Sequence, residues 1–193
     1  MTRIFAAFLV LIGLSGCTLD SILPTSAPAA ELGNFSLAHN IVIAPNPHKG
    51  PGSRDATPEE LIEAVEAAIE TRLRPYEGDK LYNIGLSIDG YALAEPGVPL
   101  VMAPKSALIM HVTLWDDAAG EKLNEEAHQI VVLEDLSATT LFGSGFFNTS
   151  DQQLSTLARK GAEALEEWLV ENNHWFGVEP VNAEDATTEE SDT

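Results

Sequence analysis

Histidine is the residue type best able to do chemistry in this chain, with five copies beside one cysteine, Cys17. His111 and His128 fall on two alternating segments that pair as a hairpin through the turn chemistry of Asp116 to Gly120. Pairing Asp116 with Glu121 sets His111 opposite Glu126, with His128 two positions further along on the same face. Two imidazoles and a carboxylate on neighbouring strands could act as zinc ligands. The same residues, with Thr113, Lys122 and Asn124, equally make a solvated sheet face. No helical His-Glu-x-x-His spacing accompanies them, so neither metal nor cofactor is expected. His39 and His48 flank an open loop and suggest less. A hydrolase needs a nucleophile, a base and oxyanion donors. Ser144 stands between Gly143 and Gly145 without the Gly-x-Ser-x-Gly elbow, and no phosphate loop or dinucleotide fingerprint is present. No catalytic residue is assigned, and the chain reads as a non-enzyme.

Cys17 has a different chemistry. Thr2 and Arg3 precede an apolar run, Ile4 to Leu14, far shorter than the roughly 18 residues of a spanning helix. Leu14-Ser15-Gly16-Cys17 follows directly and resembles the lipobox of Gram-negative lipoproteins. The resemblance implies a signal peptide over 1–16 and acyl chains, palmitate among them, on Cys17. Thr18 rather than aspartate comes next, which implies the periplasmic face of the outer membrane, with the inner membrane as the lesser alternative. A generic cleavage site near Ala27-Pro28-Ala29-Ala30 lies well past the apolar run. At about 0.8 kcal/mol per buried methylene, two or more chains hold a protein on a bilayer almost permanently. With its one thiol acylated, the chain suits an oxidising compartment and has no disulfide framework.

Charge narrows the partners. Ten Lys and Arg oppose 30 Asp and Glu, a net −20, and the bases are scattered. Nucleic acid needs clustered cations, and anionic headgroups repel such a surface. Residues 17–34 read as a lipidated cysteine and tether, 35–177 as a single domain, and 178–193 as an acidic disordered tail.

Within the domain, Phe35 to Ala44 reads as a strand and Asn46 to Asp55 as an open loop. Thr57, Pro58 and Glu60 mark a helix start, and Leu61, Val65, Ile69 and Leu73 form its stripe before Pro75. Tyr82 to Ile88 and Leu108 to Leu114 alternate as half-buried strands. A returning strand spans about Glu121 to Val132, with Leu123 opposite Leu114 and Ala127 opposite Met110. A second helix starts near Ser150, with Gln153 reaching back, and buries Leu154, Leu157, Gly161, Leu165, Trp168 and Leu169. The fold class is α+β: a two-layer sandwich of a mainly antiparallel four-stranded sheet with two helices on one face, in the order β-α-β-β-β-α.

The lipobox, the segment ending IVIAP, the strand YNIGLSIDGYAL and the hairpin ALIMHVTLWDDAAGEKL loosely resemble auxiliary lipoproteins of ABC-type lipid transport and the lipopolysaccharide-assembly lipoprotein. That resemblance implies an envelope setting, not a particular activity. Two apolar stretches, 97–104 and 135–148, fall outside the periodic pattern. Leu100, Met102, Phe142, Phe146 and Phe147 are the candidate partner contacts there, or else these stretches fold over the second sheet face and hide Trp115. The leading expectation is a lipid-anchored docking component that meets an envelope protein partner. A periplasmic small-ligand or lipid-binding module is the alternative, and a metal-dependent enzyme the third.

Overall fold

A computed structural model describes residues 30–94, 106–134 and 149–179. Cys17, Leu100, Met102, Phe142, Ser144, Phe146 and Phe147 lie outside the described residues, as do most of the tether and the tail.

The chain order is β1 (Ser36–Ile43), β2 (His48–Lys49), α1 (Pro58–Leu73), β3 (Leu81–Ala92), β4 (Ala107–Asp116), β5 (Glu121–Lys122), β6 (His128–Leu133) and α2 (Ser150–Glu171), closed by a 3₁₀ turn at Asn173–Phe176. One six-stranded mixed sheet carries both helices on one face. β3 and β4 form the long antiparallel spine, and β5 and β6 both pair with β4.

The expected four-stranded, mainly antiparallel sheet is corrected in three respects, one being that the returning strand expected over about Glu121 to Val132 is split into β5 and β6. β1 runs parallel to β3, because α1 joins them as a crossover and a helix-length connection returns the chain in the same direction. The stretch read as an open loop contributes β2, also parallel to β3 through His48↔Gly90 and Lys49↔Tyr91.

Both helices follow their periodicity. Thr57 accepts from the Glu60 amide at 3.2 Å while Glu60 Oε2 accepts from the Thr57 amide at 2.7 Å, and Leu61, Val65, Ile69 and Leu73 are buried. The second cap sits one residue earlier than expected: Thr149 and Gln152 make the reciprocal pair, not Ser150 and Gln153. Gln153 is instead buried and accepts from Arg54. Gly161 lets α2 approach the sheet, since a Cβ there would lie 2.6 Å from Met110 Cε. Between the layers, Ile84, Ile88, Leu108, Met110, Leu114 and Leu165 are almost fully buried. Where the chain enters and leaves the domain, Phe35 stacks on Tyr82 at 5.5 Å and Phe176 meets Tyr82 edge-on at 4.9 Å.

An ionic clasp joins the helices. Arg72 Nε donates to Glu166 Oε2 at 2.8 Å, and Tyr76 Oη donates to Glu166 Oε1 at 2.6 Å. Glu166 is only 3% exposed, so its carboxylate depends on these partners rather than on water. The hydrogen bond to Glu166 holds the Arg72 pKa above its ordinary value. Burial, then the same carboxylate, raises that of Tyr76.

Candidate functional site

The hairpin begins in the expected register and then leaves it. Asp116 faces Glu121, Trp115 faces Lys122, and the Leu123 amide donates to the Leu114 carbonyl at 2.9 Å. Gly120 supplies the positive φ, +67°, that this turn requires. Asn124 then replaces strand backbone with side chain. Its Oδ1 accepts from the Leu114 amide at 2.8 Å, and its Nδ2 donates to the carbonyls of Val112 at 3.0 Å and Glu126 at 2.8 Å. Residues 124–127 bulge outward, and pairing resumes with Val112↔His128, His111↔Gln129 and Met110↔Ile130. The offset is three residues. An odd shift exchanges the two faces of a strand.

This removes the zinc constellation. Glu126 sits exposed in the bulge, and Ile130, not Ala127, faces Met110. His128 lies on the helix side, stacked on Trp168 at 4.7 Å and 8°, while His111 points from the opposite face. Burial lowers the His128 pKa, the Glu171 carboxylate opposes that shift, and His111 adds to it. Among the described residues, no three His, Cys, Asp or Glu come together to hold a metal.

The outer sheet face holds what remains. His111 Nδ1 pairs with Asp89 Oδ2, its Nε2 faces Gln129 Nε2 at 3.3 Å, and Ser87 Oγ donates to Asp89 Oδ1 at 2.9 Å. Serine, histidine and aspartate are together here but in the wrong order for acyl transfer. The hydroxyl is spent on the carboxylate, and Gln129 occupies the ring nitrogen that would have to take its proton.

Around this polar strip the face is apolar. Ile41 (59% exposed), Ile43, Leu81, Trp115, Val131 and Leu133 are the large exposed hydrophobic residues of the described structure, and each alternates with a buried core neighbour. All six therefore share the side away from the helices. Lys122 lies 5.5 Å from the centroid of the Trp115 ring. A shallow hollow of ≈ 290 Å³ opens where Gly85 presents no side chain, between Ile43, Ser87, His111 and Trp115. Binary alternation foretold a wet outer face. Apart from Trp115, the apolar residues within it were missed, although Ile41 and Ile43 flank Val42 in the sequence and signal a strand apolar on both sides.

No family model matches the chain, and no curated protein matches its sequence. Among solved structures, it is similar to protein XCC0632 of Xanthomonas campestris, assigned to family model DUF330, at 13% identity and TM-score 0.47, over 78% of this chain and 92% of that one. It is also similar to a candidate lipoprotein of Caulobacter crescentus CB15, at 17% and 0.35 over 74% and 93%. A minor lipoprotein of Acinetobacter baumannii matches at 12% and 0.27 over 69% and 93%. With TM-scores below one half, these likenesses carry no argument about role.

Proposed function

We propose that this chain is a non-enzymatic envelope lipoprotein, anchored through acyl chains on Cys17 at the periplasmic face of the outer membrane. Its α+β domain docks on a protein partner in envelope transport or assembly. The geometric observation that carries the docking role is the outer sheet face, where six large apolar side chains stand exposed on one side of a domain whose core is already filled. Leu14-Ser15-Gly16-Cys17 supports the anchor. Among the described residues no helix is long and apolar enough to cross a membrane; in this reading the acyl chains on Cys17 supply the attachment. A small-ligand module is less well supported, because the hollows on the face are shallow.

Labelled palmitate tests the anchor. Incorporation is expected in the parent and lost in Cys17→Ser, and globomycin is expected to leave the precursor uncleaved. Native pull-down from detergent-solubilised envelopes tests the docking. A discrete partner is expected with the parent, and at least tenfold less with Ile41→Ser plus Ile43→Ser on the outer sheet face, a loss of about 1.4 kcal/mol or more. Recovery of monomer alone, or unchanged capture by the double variant, overturns the docking role assigned to these residues.

A further inference from the structure

We infer that β6 is a strand-pairing edge that takes up an extended, alternating apolar and basic segment of the partner polypeptide. The inference rests on the docking role above and gives it a mode. Among the described residues β6 pairs only with β4. The Glu134 amide donates to the Ser106 carbonyl at 2.9 Å, which fixes the ladder: every second residue from there, Val132 and Ile130 included, turns its backbone groups toward β4. Gln129, Val131 and Leu133 therefore turn theirs outward. Val131 and Leu133 are each 54% exposed, so the unpaired backbone and the apolar side chains coincide.

Proteins usually guard such an edge with proline, lysine, a bulge or a covering element. The other edge of this sheet is guarded: β1 is bulged between Leu37 and His39, the Arg74 guanidinium caps the Leu37 carbonyl, and Asn40 is tied to the Glu66 carbonyl of α1. β6, with the sequence HQIVVL and unbroken register from His128 to Leu133, has no proline, lysine or bulge.

Charge selects the occupant. A groove of ≈ 300 Å³ between β6 and α2 is lined by Val132, Leu133, Lys160, Glu163, Ala164 and Glu167. A strand laid on the edge puts alternate side chains beside Val131 and Leu133 and the others over Glu167 and over Glu163, whose carboxylate already pairs with Arg159 at 2.5 Å. Basic residues suit the second set. A second copy of this chain would bring its own Glu163 and Glu167 to the same place, on a molecule of net charge −20.

The probe is the peptide acetyl-VKVKVKV-amide, added to the full mature lipoprotein in uncharged detergent. Affinity is read by fluorescence anisotropy and edge pairing by amide hydrogen exchange. Saturable binding is expected, with slowed exchange at Gln129, Val131 and Leu133, and at least tenfold weaker binding of acetyl-VEVEVEV-amide. Backbone N-methylation of alternate residues in the lysine peptide is expected to abolish binding, and this control leaves the protein untouched. Val131→Pro is expected to do the same, since its amide faces outward and its loss breaks no ladder bond. Full binding of the N-methylated peptide, protection confined to other amides, or equal binding of the glutamate peptide overturns the inference. So does a self-associating protein that protects these amides and refuses the peptide. Failure here with palmitate and pull-down results intact removes the edge alone, whereas the reverse pattern removes the envelope role and leaves the edge.

Discussion

Glu166 shows how much of this fold depends on one side chain. Its carboxylate is almost fully buried between the helices and is satisfied by Arg72 and Tyr76, 94 and 90 residues away in sequence. Glu166→Ala leaves the Arg72 guanidinium and the Tyr76 hydroxyl without their acceptor, and breaking a buried pair in this way costs about 3–5 kcal/mol. Tyr76→Phe removes one hydrogen bond and costs about 1.5–3 kcal/mol, because that bond is made to a charged group. Urea midpoints at unchanged slope are the measurement, and a Glu166→Ala loss under about 1 kcal/mol would show the clasp to be dispensable. His128 gives the pH dependence. Its folded pKa lies below the ordinary 6.5, so in acid the unfolded chain binds the proton more readily. The neutral ring's contribution is complete above the unfolded value and declines as pH falls through 6.5 toward the folded pKa. His128→Phe keeps a ring against Trp168 and is expected to flatten the stability profile in that window. An unchanged slope would assign the acid sensitivity elsewhere.

At the scale of the element, Asn124 determines which side chains of β6 see solvent. Asn124→Ala removes the acceptor for the Leu114 amide and the donor to the Val112 carbonyl. The expected loss is about 1–3 kcal/mol, with faster hydrogen exchange at Leu114 as the local sign. Unaltered exchange there would mean the bulge is held by something else. Alternation alone could not reveal this device. Leu123, Ala127 and Val131 share the parity of one strand face, and a side chain standing in for backbone leaves no trace in a hydrophobic pattern. The elements themselves were legible because capping boxes and four-residue apolar spacing are local signals. The parallel β1–β3 pairing could have been read from its strand–helix–strand order, but β1 was not recognised as one arm of a crossover. The outer face was half legible: His111 stands where alternation puts it, whereas its neighbours depended on the odd offset. Asp89 became its partner only through the long antiparallel pairing of β3 with β4.

The whole molecule has two chemically distinct ends. At one, the described chain starts at Ala30, the Asn34 amide binds the Phe176 carbonyl at 3.0 Å, and Phe35, Tyr82 and Phe176 seal the core. At the other, β3 ends and β4 begins, with the Ala94 amide on Ser106 Oγ at 3.2 Å, and β6 ends beside them through Glu134 and Ser106. The sequences carrying Leu100, Met102, Phe142, Phe146 and Phe147 depart from this second end. α2, with 22 residues, separates the two ends by about 33 Å. If Cys17 is the anchor, the 13 residues 17–29 allow the first end to stand at most about 45 Å from the bilayer. On the proposed reading, in which a partner is met from this anchor, the length of the tether sets how far from the bilayer that contact can be made. Deleting residues 19–28 is expected to leave lipidation and the melting temperature unchanged while lowering partner recovery several-fold. A Gly/Ser segment of the same length is expected to restore it, because a flexible chain supplies reach without specific contacts. Full recovery with the shortened tether would place the docking contact close to the membrane surface, and failure of the Gly/Ser segment would mean that the tether sequence itself touches the partner.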